Sequence, residues 1–149
     1  MLKSLRVTSI YVLDQDEALD FYVGKLGLRV VDDVPLGYMR WLTVGVPGDA
    51  DRSILLEKPG PPSMDEKAAA VVREQVTKGR GGGALFFTTD DCRKTYEELL
   101  AKGVEFTEGP TEHDYGIDCG LRDPFGNQLR FSQMSEAFLA GKWEGASAR

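Results

Sequence analysis

The 149-residue chain is long enough for one domain with a true core, or for two small halves that share one. Hydrophobic residues make up 42% and charged residues 28%, which excludes a disordered chain, and no apolar run approaches the roughly 18 residues of a membrane span. The net charge of −6 comes without a dominant basic cluster, which argues against nucleic acid as a partner. Two cysteines, Cys92 and Cys119, are too few for a disulfide scaffold and imply reduced thiols in a cytosol. The first six residues lack a long apolar stretch and are not expected to act as a signal peptide.

In chain order, residues 5–13 carry Val7, Ile10, Tyr11, Val12 and Leu13 and predict a strand. Asp14 or Asp16 is placed to cap a helix. Ala18, Leu19, Phe21, Tyr22 and Leu26 then recur at helical spacing, and Gly27 sits where a left-handed terminal glycine belongs. Residues 28–34 are β-rich, residues 38–46 form a third strand candidate, and residues 53–57 a fourth after a Pro-Gly-Asp turn. Pro59-Gly60-Pro61-Pro62 stops that strand. Residues 65–76 are rich in helix formers, and Arg80 to Gly83 gives slack. The segment 59–82 reads either as a linker bearing a surface helix or as a mobile cover over a pocket.

Residues 85–89 open a second series. Asp90 or Asp91 caps, Tyr96, Leu99 and Leu100 recur at helical spacing, and Gly103 closes the helix. Val104-Glu105-Phe106 alternates, and residues 113–122 are a strand candidate interrupted by Gly116. Asp123-Pro124-Phe125-Gly126-Asn127 makes a turn, with Pro124 fixing φ and Gly126 and Asn127 tolerating positive φ. Residues 128–133 alternate as a half-buried strand. Ser135 is placed to cap a short helix through Leu139, with Trp143 docking it and residues 145–149 as a frayed tail.

Both halves read β-α-β-β-β, and the interval from Asp14 to Gly27 equals that from Asp90 to Gly103. A repeat of this kind signals a duplicated supersecondary unit. The predicted fold is α+β, with two βαβββ modules at about 5–58 and 83–133 in a single domain, 1–133. A helix-containing linker, 59–82, joins them, and a helix and tail, 134–149, follow.

Val12-Leu13-Asp14, Ala18-Leu19-Asp20-Phe21-Tyr22 and Leu26-Gly27-Leu28 are followed by Thr89-Asp90-Asp91, Leu99, Gly103-Val104, Tyr115-Gly116 and Asp123-Pro124-Phe125-Gly126-Asn127. In this order the chain resembles the vicinal oxygen chelate superfamily, which includes glyoxalase I, extradiol dioxygenases and bleomycin- and fosfomycin-resistance proteins. The resemblance implies an incomplete, cupped barrel around a pocket, usually within a homodimer. Metal-dependent members place one ligand, usually His or Glu, on the inward face of each of four strands, and the ion chelates vicinal oxygens as a Lewis acid. Carried over, those positions fall near Val7, on Glu57, near Ala84 and near Arg130. Glu57 alone is a ligand type, and Arg130 adds a fixed cation. Shifts of one residue offer Arg6, Thr8, Gly83, Leu85, Leu129 or Phe131, none a good ligand. A zinc, iron or nickel site needs three or more donors. No metal and no cofactor are therefore expected.

Glu57 and Arg130 face each other if a pseudo-twofold axis relates the modules. They then form a structural ion pair, or Arg130 grips an anionic oxygen of a ligand while Glu57 accepts from a donor. Trp41 and Tyr38 are core or interface aromatics, or they stack on a flat ligand. Tyr11 alternates with Ile10 and Val12, and one of these two faces points inward. His113 is either exposed and idle or the one obvious proton-transfer group. Cys92 and Cys119 read as packed residues. There is no nucleophile elbow, phosphate loop or dinucleotide fingerprint, and no catalytic residue is assigned. The expected function is metal-independent binding of a small organic molecule, partly aromatic or cationic, in a cleft of a cytoplasmic dimer, with neither nucleic acid nor membrane as partner. The alternative is a metal-dependent lyase or dioxygenase, glyoxalase I-like or extradiol-cleaving.

Overall fold

The computed structural model describes residues 1–81 and 83–142; the expected docking of Trp143 and the tail 145–149 lie outside them. The strands are β1 (Val7–Tyr11), β2 (Arg29–Pro35), β3 (Arg40–Gly45), β4 (Ser53–Glu57), β5 (Ala84–Thr88), β6 (Phe106–His113), β7 (Gly116–Arg122) and β8 (Gln128–Met134). They form two four-stranded sheets, ordered β1-β4-β3-β2 and β5-β8-β7-β6. In each sheet the first strand runs parallel to the last, and the other pairs are antiparallel. The repeat read from the sequence is thus a repeat of topology, α+β with two unclosed sheets.

The first crossover is helix α1 (Gln15–Leu19), which runs on as a π-helical segment, Asp20–Lys25. Asp14 caps it, its Oδ1 accepting from the Glu17 N–H at 2.8 Å. The second crossover, α3 (Cys92–Ala101), is capped by Asp91, which accepts from the Lys94 N–H at 3.0 Å. Gly27 and Gly103 end them at φ of 78° and 80°. From cap to glycine the first copy is one residue longer, and the wider π turn takes up that residue. Asp14→Ala leaves an orphan N–H at this helix start and is expected to lower stability by about 1 kcal/mol, read by urea denaturation. Between the sheets in sequence lies α2 (Glu66–Thr77), and after β8 comes α4 (Glu136–Leu139), capped by Ser135.

Two details differ from the sequence reading. Residues 113–122 are not one strand: β6 ends at His113, Asp114 and Tyr115 turn, and β7 starts at Gly116. β6 also runs beyond the alternating stretch 104–106, from Phe106 through Gly109 and Pro110 to His113. Its register against β7 shifts between Phe106 and Glu108 and again between Glu108 and Thr111, and Pro110 falls inside the second shift, where its missing N–H forfeits no ladder bond.

The residues group into two compact units, one of Met1–Gly83 with Pro124–Asn127, the other of Ala84–Asp123 with the chain from Gln128 onward. In unit 1, one sheet face carries Ile10, Leu42, Val44 and Leu56, all buried with Phe21 and Tyr22. The turn Pro124–Asn127 belongs here because Asn127, 2% exposed, donates from Nδ2 to the Tyr11 carbonyl at 2.7 Å. In unit 2, α3 covers the face that carries Cys119, Leu121, Leu129 and Phe131. The Cys92 and Cys119 sulfurs lie 3.7 Å apart, and the Tyr96 and Phe106 rings meet at 4.5 Å. Burial pushes both thiols up from their ordinary pKa, as suits packed cysteines. Among the described residues no helix is long and apolar enough to cross a membrane.

Candidate functional site

Of the six candidate residues, Glu57, Trp41, Tyr38 and Tyr11 lie in unit 1, and Arg130 and His113 in unit 2. In unit 1, Tyr11 pairs with Glu57 across the parallel β1–β4 ladder, and Trp41 shares that face by its spacing from Thr43, the partner of Leu55. Burial and the neighbouring Glu57 charge raise the Tyr11 phenol pKa. Tyr38 lies just before β3 rather than on it, in the connection from β2, and is 66% exposed.

Glu57 ends β4 at the wall of a cavity of about 300 Å³. Gln15, Tyr38, Met39 and Arg40 line it on one side, and the Lys58–Pro62 segment with Glu66 and Arg73 on the other. The linker read from the sequence therefore contributes part of the wall. The two arginines are already held. Arg40 grips Asp33 through Nε and Nη2 at 2.8 and 2.9 Å, and Asp16 through Nη1 at 2.8 Å. Arg73 meets Glu66 at 2.7 and 3.2 Å. Gln15 lies in the first turn of α1, where nothing in its sequence neighbourhood marks it, and donates from Nε2 to the carbonyls of Arg40 and Leu56 at 3.1 and 2.9 Å.

In unit 2 the face turned away from α3 carries Phe86, Arg130, Ser132, Gly120 and Asp118. Strand alternation places them opposite Phe131 and Cys119. The register shift at Phe106/Glu108 turns Glu108 onto this face, opposite Gly120. The Arg130 guanidinium lies across the strands, donating from Nε to Asp118 Oδ2 at 3.2 Å and from Nη2 to Glu108 Oε2 at 3.0 Å. Gly120 makes room for it, since a Cβ there would stand 3.0 Å from Nη1. Asp118 also accepts from the Tyr115 hydroxyl at 2.8 Å and meets His113 Nε2 at 3.0 Å. Burial opposes its charge, but the hydrogen bonds from Tyr115 and Arg130 and the nearby cations outweigh this and leave its carboxyl pKa below the usual value. His113 stacks on Tyr115 with ring centroids 4.9 Å apart. Phe86 sits directly beside Arg130 in the register and is 75% exposed.

The sequence reading missed Asp118, Glu108, Tyr115 and Phe86 on this face. One signal was available: Asp118 is the lone acid in the run from Ile117 to Leu121. The carboxylates that meet Arg130 come from its own sheet.

A family model described as the Glyoxalase/Bleomycin resistance protein/Dioxygenase superfamily matches residues 4–131. This chain belongs to that superfamily. YurT, an uncharacterized protein of Bacillus subtilis (strain 168), is 39% identical over 127 residues, 85% of this chain and 96% of YurT. The solved structure of UcmS2 is 37% identical with a TM-score of 0.83, covering 89% of this chain and 99% of that one. The structure of TnmS3, an antibiotic binding protein from Streptomyces sp. CB03234, is 30% identical with a TM-score of 0.71, covering 90% and 98%.

The side chains at the four positions that the family resemblance points to can be set against what a metal ion needs. Val7 and Ala84 offer no donor atom, and Arg130 offers a cation, which leaves Glu57 alone. Elsewhere, Glu108, His113 and Asp118 bring ligand atoms within 4.8 Å of one another. Arg130 already holds both of those carboxylates at 3.0 Å, and a dication would have to displace it. The chemistry available is charge-assisted hydrogen bonding, stacking, and proton transfer by an imidazole held by Asp118.

Proposed function

We propose that this protein binds small organic molecules, with the cavity of unit 1 as one surface for them and the exposed face of unit 2 as another, without a resident metal, as a cytoplasmic homodimer. The observation that carries it is Arg130, a guanidinium tied by Asp118 and Glu108, near the position that the family resemblance points to for a metal ligand. Beside it, the exposed Phe86 offers a flat apolar surface for a ring. The antibiotic-binding role of TnmS3 supports the same class of role here. The free thiols of Cys92 and Cys119 suit a reducing compartment.

A thermal-shift screen of aromatic and cationic antibiotics is expected to find stabilisers. A compound at about one hundred times its Kd adds about 2.7 kcal/mol, a shift of several degrees for a chain of this size. Calorimetric titration with Ni²⁺, Zn²⁺, Mn²⁺ and Fe²⁺ should give no tight 1:1 binding, and light scattering should give a dimer mass. Micromolar metal binding that is lost in Glu57→Gln, or a screen without any stabiliser, overturns this function.

One observation favours a second reading, an enzyme: Asp118 orients the His113 imidazole as a general base would be oriented. Turnover of the methylglyoxal–glutathione hemithioacetal or of a catechol, lost in His113→Gln, would decide for it.

A further inference from the structure

We infer that the cavity of unit 1 selects a cationic nitrogen group with at least two N–H donors, an amidine, guanidine or protonated amine on a small apolar body, which deepens the small-molecule role proposed above and rests on it. Two acceptors in that cavity are unmet. The Glu57 carboxylate, half-buried, has no hydrogen bond or ion pair among the described residues. Gln15 is 9% exposed, and its Nε2 donates to two backbone carbonyls, Arg40 and Leu56. Those carbonyls fix the amide, because the reversed orientation would set its oxygen against two other oxygens. Oε1 is therefore left as a buried acceptor without a partner among the described residues, in a side chain that lines the cavity. A donor on a ligand in the cavity can meet this acceptor.

Charge in the wall points the same way. Arg73 is matched by Glu66. Arg40 carries two carboxylates, Asp16 and Asp33, one more than its charge needs. Lys58, exposed, balances Glu57 in charge, and once Asp16 and Asp33, which hold Arg40 without lining the cavity themselves, are counted, acid exceeds base by one. Tyr38 and Met39, with the prolines of the Lys58–Pro62 segment, supply the apolar surface for the body of the ligand. A volume of about 300 Å³ admits one or two rings.

The test compares three isosteric probes, benzamidine, benzamide and benzoate, titrated into the wild-type protein and followed by ¹H–¹⁵N NMR. Benzamidine should move the amide signals of Gln15, Tyr38 and Glu57 and bind at least about tenfold more tightly than benzamide, while benzoate leaves those signals in place. Glu57→Gln should weaken benzamidine by about tenfold and leave benzamide unchanged; if that variant misfolds, the wild-type ranking of the three probes still decides. Equal binding of benzamidine and benzamide, preference for benzoate, or benzamidine shifts that avoid these residues would overturn the cationic site. In each of those cases a stabiliser from the antibiotic screen would leave the broader binding role standing. Silence from all three probes together with an empty screen would end both.

Discussion

Gly116→Ala is expected to destabilise the protein by about 3 kcal/mol or more, and to do so through the site-bearing sheet. Gly116 opens β7 at a φ of 143°, a backbone conformation that side chains rarely adopt. A Cβ there would run into the Gln133 carbonyl on β8, which is paired backbone and cannot swing aside. The hairpin can then relieve the clash only by opening the β7–β8 ladder at Gly116/Met134 and Ile117/Gln133. His113 and Tyr115 flank the same turn, so their bonds to Asp118 should loosen with it. Urea denaturation of the variant measures the loss, and NMR signals of β5–β8 should move more than those of β1–β4. Wild-type stability in this variant would show that the turn yields freely and that the described backbone is not what holds it.

Asp118→Asn is expected to cost about 2–3 kcal/mol near neutral pH. The carboxylate is buried and serves Arg130, Tyr115 and His113 together. Arg130 is 31% exposed and retains Glu108, which keeps the loss below that of a fully buried pair. The sign of the pH dependence follows from the lowered folded-state pKa of Asp118. Its contribution is fully present above the unfolded carboxyl range near about pH 4 and is lost as pH falls through the lower folded value. The wild type should therefore lose stability over that acid window more steeply than Asp118→Asn. Parallel acid limbs would mean that the charge on Asp118 contributes nothing to folding. A double-mutant cycle with Arg130→Met isolates the pair from the bonds to Tyr115 and His113.

The two halves of the candidate site differed in how far the sequence exposed them. Glu57 was found as the one ligand-type residue, and Arg130 as a departure, at positions that the family resemblance points to. Tyr11 and Trp41 were found as aromatics on alternating strands, and the structure sets both on the Glu57 face. Glu108 was hidden because simple alternation from Phe106 puts it on the helix side, and a bulge reverses it. Phe86 reads as one apolar residue in an apolar run, and its exposure depends on which face α3 covers. Gln15 sits between two aspartates in a helix start, and its value comes from carbonyls 25 and 41 residues away.

By itself the amino-acid order determined the doubled β-α-β-β-β plan and the glycines that end its crossover helices, and it narrowed each helix cap to one of two aspartates. These depend on periodicity, caps and residue chemistry, which act over a few neighbours. Only the tertiary structure decided that Asp118, Glu108, Tyr115 and His113 gather around Arg130, and that Gln15 and Glu57 share a cavity wall. Strand register, bulges and the choice of covered face set those partners, and each comes from pairing between segments far apart in the chain, which no local pattern records.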